Sequence, residues 1–196
     1  MSSAPSRSSE DDALDHLLDR AADEVLAALA AAPRPVALID GRSGAGKTTL
    51  TRRVADGWSG ARAVQVLALD SIYPGWDGLR AGAERALRDV LVPYAAGLAG
   101  SWRRWDWERD VYAEVHTVDP DGPLVIEGAG VLTAASAALA DVRVWLEAPE
   151  ASRRGRALGR DGDAYRPHWE RWAAQERVHV EDEAPAALAT HVFVLP

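Results

Sequence analysis

The octapeptide Gly41-Arg42-Ser43-Gly44-Ala45-Gly46-Lys47-Thr48 constrains this chain more than any other feature. It fits the spacing G-x-x-x-x-G-K-[ST], in which glycines let the backbone curl around an anion and point its N–H groups inward. A helix starting at the lysine adds the positive end of its dipole. Such a loop needs a buried strand before it and a helix after it, and both are legible. Val36-Ala37-Leu38-Ile39-Asp40 is short, apolar and without alternation, as a strand covered on both faces reads. Lys47 to about Gly57 has a helical pattern. The motif assigns Gly41, Ser43, Gly44, Ala45, Gly46, Lys47, Thr48 and Thr49 to phosphate binding. Lys47 reaches the β- and γ-phosphates of a nucleotide such as ATP, and the Thr48 hydroxyl ligates Mg²⁺.

Four more apolar runs repeat the strand pattern: Val64 to Leu69, Pro123 to Glu127, Val142 to Leu146 and His191 to Leu195. Helical patterns lie between them, so the expected fold is α/β, a P-loop NTPase fold with a five-stranded parallel sheet flanked by helices. Residues 1–12, Ser-rich and acidic, read as a flexible tail before one domain over 13–196. A helix is expected from Ala13 to Ala32, stopped by Pro33 and Pro35. Leu79 to Leu98 reads as a helix that Pro93 should break or kink. Ala157 to Tyr165 reads as a loop, and His168 to Glu183 as an amphipathic helix. Ser101 to Val118 mixes tryptophans with charges and has no plain period.

Composition narrows the function classes. The 196 residues carry a net charge of −8, which leaves no basic excess for a nucleic-acid backbone. No apolar run is long enough for a membrane span, and the start has no secretory h-region. There is no cysteine, hence no disulfide or thiolate–metal site, which fits a cytoplasmic protein. Of 22 basic residues 21 are arginine, and Lys47 is the one lysine.

The phosphate loop alone is shared by GTPases, motor ATPases and kinases. Further motifs discriminate. Val36 to Thr48 resembles the opening of uridine kinases, phosphoribulokinases and related P-loop kinases. Leu69-Asp70-Ser71-Ile72-Tyr73 resembles that family's second-strand motif, with Ile72 where Phe is usual. Val125-Ile126-Glu127-Gly128 is similar to its third-strand ending, and Arg153-Arg154-Gly155-Arg156-Ala157-Leu158-Gly159-Arg160-Asp161 to its Arg-rich lid, here about 153–166. The resemblance spans about residues 35–195. It implies an ATP- and Mg²⁺-dependent kinase acting on a hydroxyl of a small molecule, whether nucleoside, sugar or cofactor precursor.

The chemistry suits these residue types. Phosphoryl transfer needs positioning and charge stabilisation more than covalent work. Asp70, at the end of the second strand, is placed to take the acceptor's proton. Glu127 joins Thr48 at the metal or contacts the acceptor. Arg153, Arg156 and Arg160 share one helical face and match phosphate oxygens, whereas Arg154 lies off it. For the acceptor, the candidates are Asp70, Tyr73, Arg104, Trp105, Glu127 and Arg166, with Trp76, Arg103, Asp106, Trp107, Tyr112, His116 and His168 nearby in the sequence. Rings would stack and charged groups would fix hydroxyls, although tryptophans at 102, 105 and 107 also suit packing. Two rival readings stand beside the kinase: a phosphotransferase that inactivates an antibiotic, and a nucleotide-sensing module without transfer activity. Acceptor identity, ATP against GTP, and monomer against homodimer do not follow from the sequence.

Overall fold

A computed structural model of the chain describes residues 9–32 and 35–196. The tail expected over residues 1–8 and the helix stop at Pro33 lie outside the described residues. In chain order the elements are α1 (Ser9–Ala31), β1 (Val36–Gly41), α2 (Lys47–Gly57), β2 (Gln65–Ala68), α3 (Leu79–Arg85), α4 (Val92–Ala95), β3 (Gly100–Asp106), β4 (Val111–Val118) and β5 (Leu124–Glu127). They continue with α5 (Ala134–Ala137), β6 (Val142–Glu147), α6 (Glu150–Tyr165), α7 (Trp169–Glu183), α8 (Pro185–Leu188) and β7 (His191–Val194). All five expected strands form one sheet in the order β2-β5-β1-β6-β7, with every pairing parallel.

The central strands β1 and β5 lack alternation because both their faces are covered. Val36 and Leu38 of β1 join Leu124 and Ile126 of β5 in a core that includes Leu79, Val90, Leu91 and Tyr94. Ala37, Ile39 and Val125 face the other way, onto Leu18, Val25 and Leu29 of α1 and Leu50 and Val54 of α2. Each fully buried Leu or Val contributes about 1.5–3 kcal/mol of transfer free energy. α1 begins at Ser9 rather than Ala13, so residues 9–12 are helical and not tail. Arg53 of α2 locks the pair by donating to the Asp15 carbonyl and to the carboxylates of Asp15 and Asp19. Among the described residues, no helix is long and apolar enough to cross a membrane.

Three expectations are corrected. Pro93 neither breaks nor ends its helix; a π turn over Ala86–Leu91 joins α3 to α4, with the Val92 N–H reaching back to the Leu87 carbonyl. The wider turn accommodates a residue that has no N–H and whose ring crowds the carbonyl four residues back. Ala157 to Tyr165 is helix, the second half of α6, and only Gly162 (φ 57°, ψ −135°) interrupts it. The Trp-rich segment is an antiparallel hairpin, β3–β4, with an irregularity between Arg103 and Trp105. Its turn is set by Asp106, whose side chain accepts from the Glu108 and Arg109 N–H groups.

The carboxyl end of β1 is organised by Asp40, which is fully buried. Its Oδ1 accepts from the N–H of Gly41 (2.6 Å) and Gly130 (3.0 Å), and its Oδ2 from Leu132 N–H (2.8 Å). His179 of α7 places Nε2 2.9 Å from Oδ2. Burial opposes a charge on His179, but the Asp40 hydrogen bond and the negative field of Asp40, Glu183 and Glu176 outweigh it, and its pKa lies above the ordinary value. One carboxylate thus ties β1, the segment after β5 and α7 together. Asp40→Ala would leave three N–H groups and a buried imidazole without this acceptor. Urea denaturation should show it losing about 3–5 kcal/mol, with His179→Ala losing less, about 1–3 kcal/mol. A loss below about 1 kcal/mol for Asp40→Ala would show that the carboxylate does not organise this junction.

Candidate active site

The loop between β1 and α2 has the backbone its sequence demands. Gly44 (φ 78°) and Gly46 (φ 101°) are left-handed, and α2 starts after Gly46 with no side chain capping it. Its first turn therefore faces the adjoining pocket with backbone N–H groups and the positive end of the dipole. Gly44 is required for a second reason: a Cβ there would lie 2.0 Å from the Arg153 carbonyl oxygen.

The back of the loop is braced by α6 and α7. Arg153, buried, donates to the carbonyls of Ala148 (3.0 Å) and Ser43 (3.2 Å). Arg156 donates to Gly44 O and Pro196 O, each at 2.8 Å. The Tyr165 hydroxyl donates to Ser43 Oγ (2.9 Å). From α7, the buried Glu176 accepts the Ser43 N–H at 2.6 Å and faces Arg42 Nε at 3.4 Å. Arg153 and Arg156, expected at the phosphates, each give one donor to a phosphate-loop carbonyl, and burial draws both pKa values down from the usual guanidinium range.

In front of the loop is a pocket of about 70 Å³, lined by Ser43, Gly44, Gly46, Lys47, Thr48, Thr49, Asp70, Glu127, Ala129, Arg160 and Trp172. Most of the expected site meets here from four elements. Lys47 Nζ donates to Gly41 O (2.7 Å) and Arg42 O (3.3 Å), and the Thr48 hydroxyl donates to Glu127 Oε1 (3.0 Å). Asp70 lies exposed in the 3-10 turn Leu69–Ser71 that follows β2. Glu127 ends β5 and is buried. Burial raises its pKa, against the opposing pull of Lys47, the Thr48 hydrogen bond and Arg160. Of the three lid arginines, Arg160 is the one that lines this pocket.

The acceptor candidates fare unevenly. Tyr73 is buried in the core; its hydroxyl donates to Ala129 O (2.7 Å), and burial followed by the charge of Asp70 pushes its pKa well up. It supports the pocket wall without lining the pocket. Arg104 pairs across the hairpin with Glu114 at 2.6 Å, and that contact first of all holds the Glu114 carboxyl down at about 2. Trp105 packs edge-on against Tyr112. Arg166 is exposed, 3.6 Å from Asp163. None of these four lines the phosphate pocket. Trp107, at the hairpin tip, does approach: its Nε1 donates to Asp70 O at 2.8 Å, and its ring meets Trp76. Trp76 in turn stacks on His168 (4.2 Å) and Tyr165 (5.4 Å). Trp172 borders the phosphate pocket and meets Trp76 and Tyr73 edge-on. Glu176, His179 and Asp40 were not singled out; buried charges three residues apart on α7 look like any solvated helical face until the fold covers them.

The donor set fits a nucleotide phosphate and Mg²⁺. Left-handed glycines, an uncapped helix start and the ammonium suit the phosphates. A buried carboxylate 3.0 Å from a hydroxyl offers hard oxygen ligands. No group of three or more His, Cys, Asp or Glu placed to hold a metal occurs among the described residues.

No family model and no curated protein sequence matches the chain. Solved structures share its fold. One is a possible uridine kinase from Bacillus stearothermophilus, at 21% identity over 92% of this chain and 98% of that one, with a TM-score of 0.66. Another is a candidate fructose transport system kinase from Silicibacter sp. TM1040, at 22% identity over 90% and 98%, with a TM-score of 0.59. At these identities the likeness establishes the α/β fold with its five-stranded parallel sheet.

The raised pKa of Glu127 sets a pH dependence. The fold favours its protonated form, so the stability it contributes is complete below about 4.5 and is lost as pH rises through the folded value. Glu127→Gln should therefore raise the Tm of the ligand-free protein near pH 7, and the gain should shrink toward about pH 4. Thermal melts at the two pH values check this; a variant less stable than wild type near neutrality contradicts it.

Proposed function

We propose that this chain is an ATP- and Mg²⁺-dependent kinase that transfers the γ-phosphoryl group to a hydroxyl of a small molecule. The observation that carries the reading is the convergence of Lys47, Thr48, Asp70, Glu127 and Arg160 on one small pocket beside the phosphate loop. An ammonium, a hydroxyl, two carboxylates and a guanidinium are the groups that phosphoryl transfer uses.

Each has a task. The glycine backbone and the α2 start hold the phosphates, and Lys47 leaves its two loop carbonyls to meet the β- and γ-oxygens. Thr48 and Glu127 would hold Mg²⁺, which when bound supplies charge neutralisation across the phosphates. Asp70, exposed at the pocket mouth, takes the proton of the acceptor hydroxyl as its oxygen bonds to the γ-phosphorus. The bond from that phosphorus to the bridging oxygen breaks, and the electron pair leaves with ADP. Arg160 stabilises charge on the transferring group. Gly162, the break in α6, gives the arm bearing Arg160 a pivot.

The hairpin tip supports an acceptor beside Asp70. Trp107 is bonded to the Asp70 carbonyl and reaches Trp76, so aromatic faces border the base. Stacking surfaces with a carboxylate suit a ring-shaped, hydroxylated acceptor. The two structural neighbours are named for a nucleoside and a sugar; both fit that description, and the acceptor class is proposed at that level.

ATP turnover measured against a panel of nucleosides, sugars and cofactor precursors tests the reading. One class should stimulate it, and Asp70→Asn should lower the stimulated rate by about 10²–10⁴-fold. The exposed position of Asp70 should leave stability within about 0.5 kcal/mol of wild type. Turnover that no acceptor stimulates and that Asp70→Asn leaves unchanged would favour a nucleotide-sensing module. Lys47 offers an independent check, because it is the one lysine side chain. A lysine-directed reagent should label it, and ATP with Mg²⁺ should protect it; equal labelling with and without ATP counts against the site.

A further inference from the structure

A second, larger cavity lies away from the phosphate pocket. It measures about 520 Å³ and opens between α3, the π turn, the 130–136 segment and α7. That is within the roughly 300–1,000 Å³ of small-molecule sites. Neither Lys47, Thr48, Asp70 nor Glu127 lines it. Its interior is hydrocarbon, chiefly Leu79, Leu87, Leu91, Ile126 and Val131. Four small side chains, Ala83, Ala86, Ala135 and Ala174, also line it. One wall is the π turn Ala86–Leu91, a type of turn that gathers at functional sites.

The charge around it is net negative. Glu84, Asp182 and Glu183 line the cavity against a single cation, Arg80, which already pairs with Glu84 at 3.1 Å. Glu183 also accepts the Ala134 N–H at 3.1 Å, which turns its carboxylate toward the 130–136 segment. His179, which lines the cavity, sits against Asp40 and adds no positive excess. An apolar chamber with a net negative rim selects for a hydrocarbon body that carries a positive charge.

This cavity also shares structure with the phosphate loop. Gly130 lines it, while the preceding Ala129 lines the phosphate pocket. The Gly130 N–H and the Gly41 N–H bond the same Asp40 oxygen. On α7, Gln175 and His179 face the cavity, whereas Trp172 borders the phosphate pocket and Glu176 holds the Ser43 N–H. A molecule that displaces α7 would act on the Asp40–His179 contact, and through Asp40 on the start of the phosphate loop.

We propose that this cavity is a second ligand site, for an organic cation with an apolar body such as an aryl-alkyl amine, and that its occupancy changes nucleotide affinity through Asp40 and His179. Coupling of this kind is reciprocal, so ADP must alter the cation's affinity by the same factor.

Calorimetric titration of the full chain with 4-phenylbutylammonium, 4-phenylbutanol and 4-phenylbutyrate tests it. The ammonium should bind about tenfold tighter than the carboxylate, with the alcohol between, as expected for partly screened charges. Ala174→Trp, at an exposed helix position, should fill the cavity and abolish ammonium binding while ADP still binds. The double variant Glu84→Gln, Asp182→Asn should erase the preference for the ammonium and leave the alcohol unchanged. Saturating ammonium should shift the Kd for ADP by about threefold or more, within the usual range of coupling. Equal binding of the three probes, binding that survives Ala174→Trp, or mutually exclusive binding with ADP each overturns the site. An unmoved ADP Kd overturns the coupling. Because ADP binding is read separately, none of these outcomes depends on the kinase reading.

Discussion

The buried carboxylate of Asp40 is the constraint on which the rest of the architecture rests. It has no access to solvent and receives three backbone N–H groups and an imidazole. A carboxylate in such a place is tolerable only when its lone pairs are filled. Filling them forces the segment after β5 to turn back toward β1 and forces α7 to lie across both. Those elements carry Glu127, Ala129 and Trp172, so the geometry of the phosphate pocket follows from how one buried charge is satisfied.

The phosphate loop is held at its back as firmly as it is open at its front. Glu176, Arg153, Arg156 and Tyr165 all bond atoms of Ser43 or Gly44 in the loop. This leaves the inward N–H groups and the Lys47 ammonium for an anion. Such preorganisation is what electrostatic catalysis requires, since dipoles fixed beforehand need no reorganisation when charge develops. The arginines of α6 divide the work along one face: the two nearer the helix start stiffen the loop, and Arg160, beyond them, borders the pocket.

The hairpin contributes in a way its composition conceals. Arg104, Trp105, Tyr112 and His116 are occupied with cross-strand partners, and cross-strand pairs are what stabilise a two-stranded ribbon. Trp107 escapes this because the Asp106 turn projects it from the tip toward the end of β2. One indole therefore joins the hairpin to the proposed base.

Local patterns in the sequence determined the five parallel strands, the glycine loop and the identities of Lys47, Thr48, Asp70 and Glu127. Each rests on short-range chemistry: unbroken apolar runs, left-handed glycines and polar residues at strand ends. The continuation of α6 through Ala157–Tyr165 was not legible, because glycines and aspartates lower helix propensity and only packing of Ala157, Tyr165 and neighbouring side chains restores it. Nor was the π turn Ala86–Leu91 ahead of Pro93, which depends on what the wider turn packs against. The roles of Asp40, Glu176 and His179, the diversion of Arg153 and Arg156 to loop carbonyls, and the cavity beside α7 were decided by tertiary structure alone. They arise from residues 90 to 139 positions apart brought within hydrogen-bond reach, and no local pattern reports which distant partner a buried charge will find.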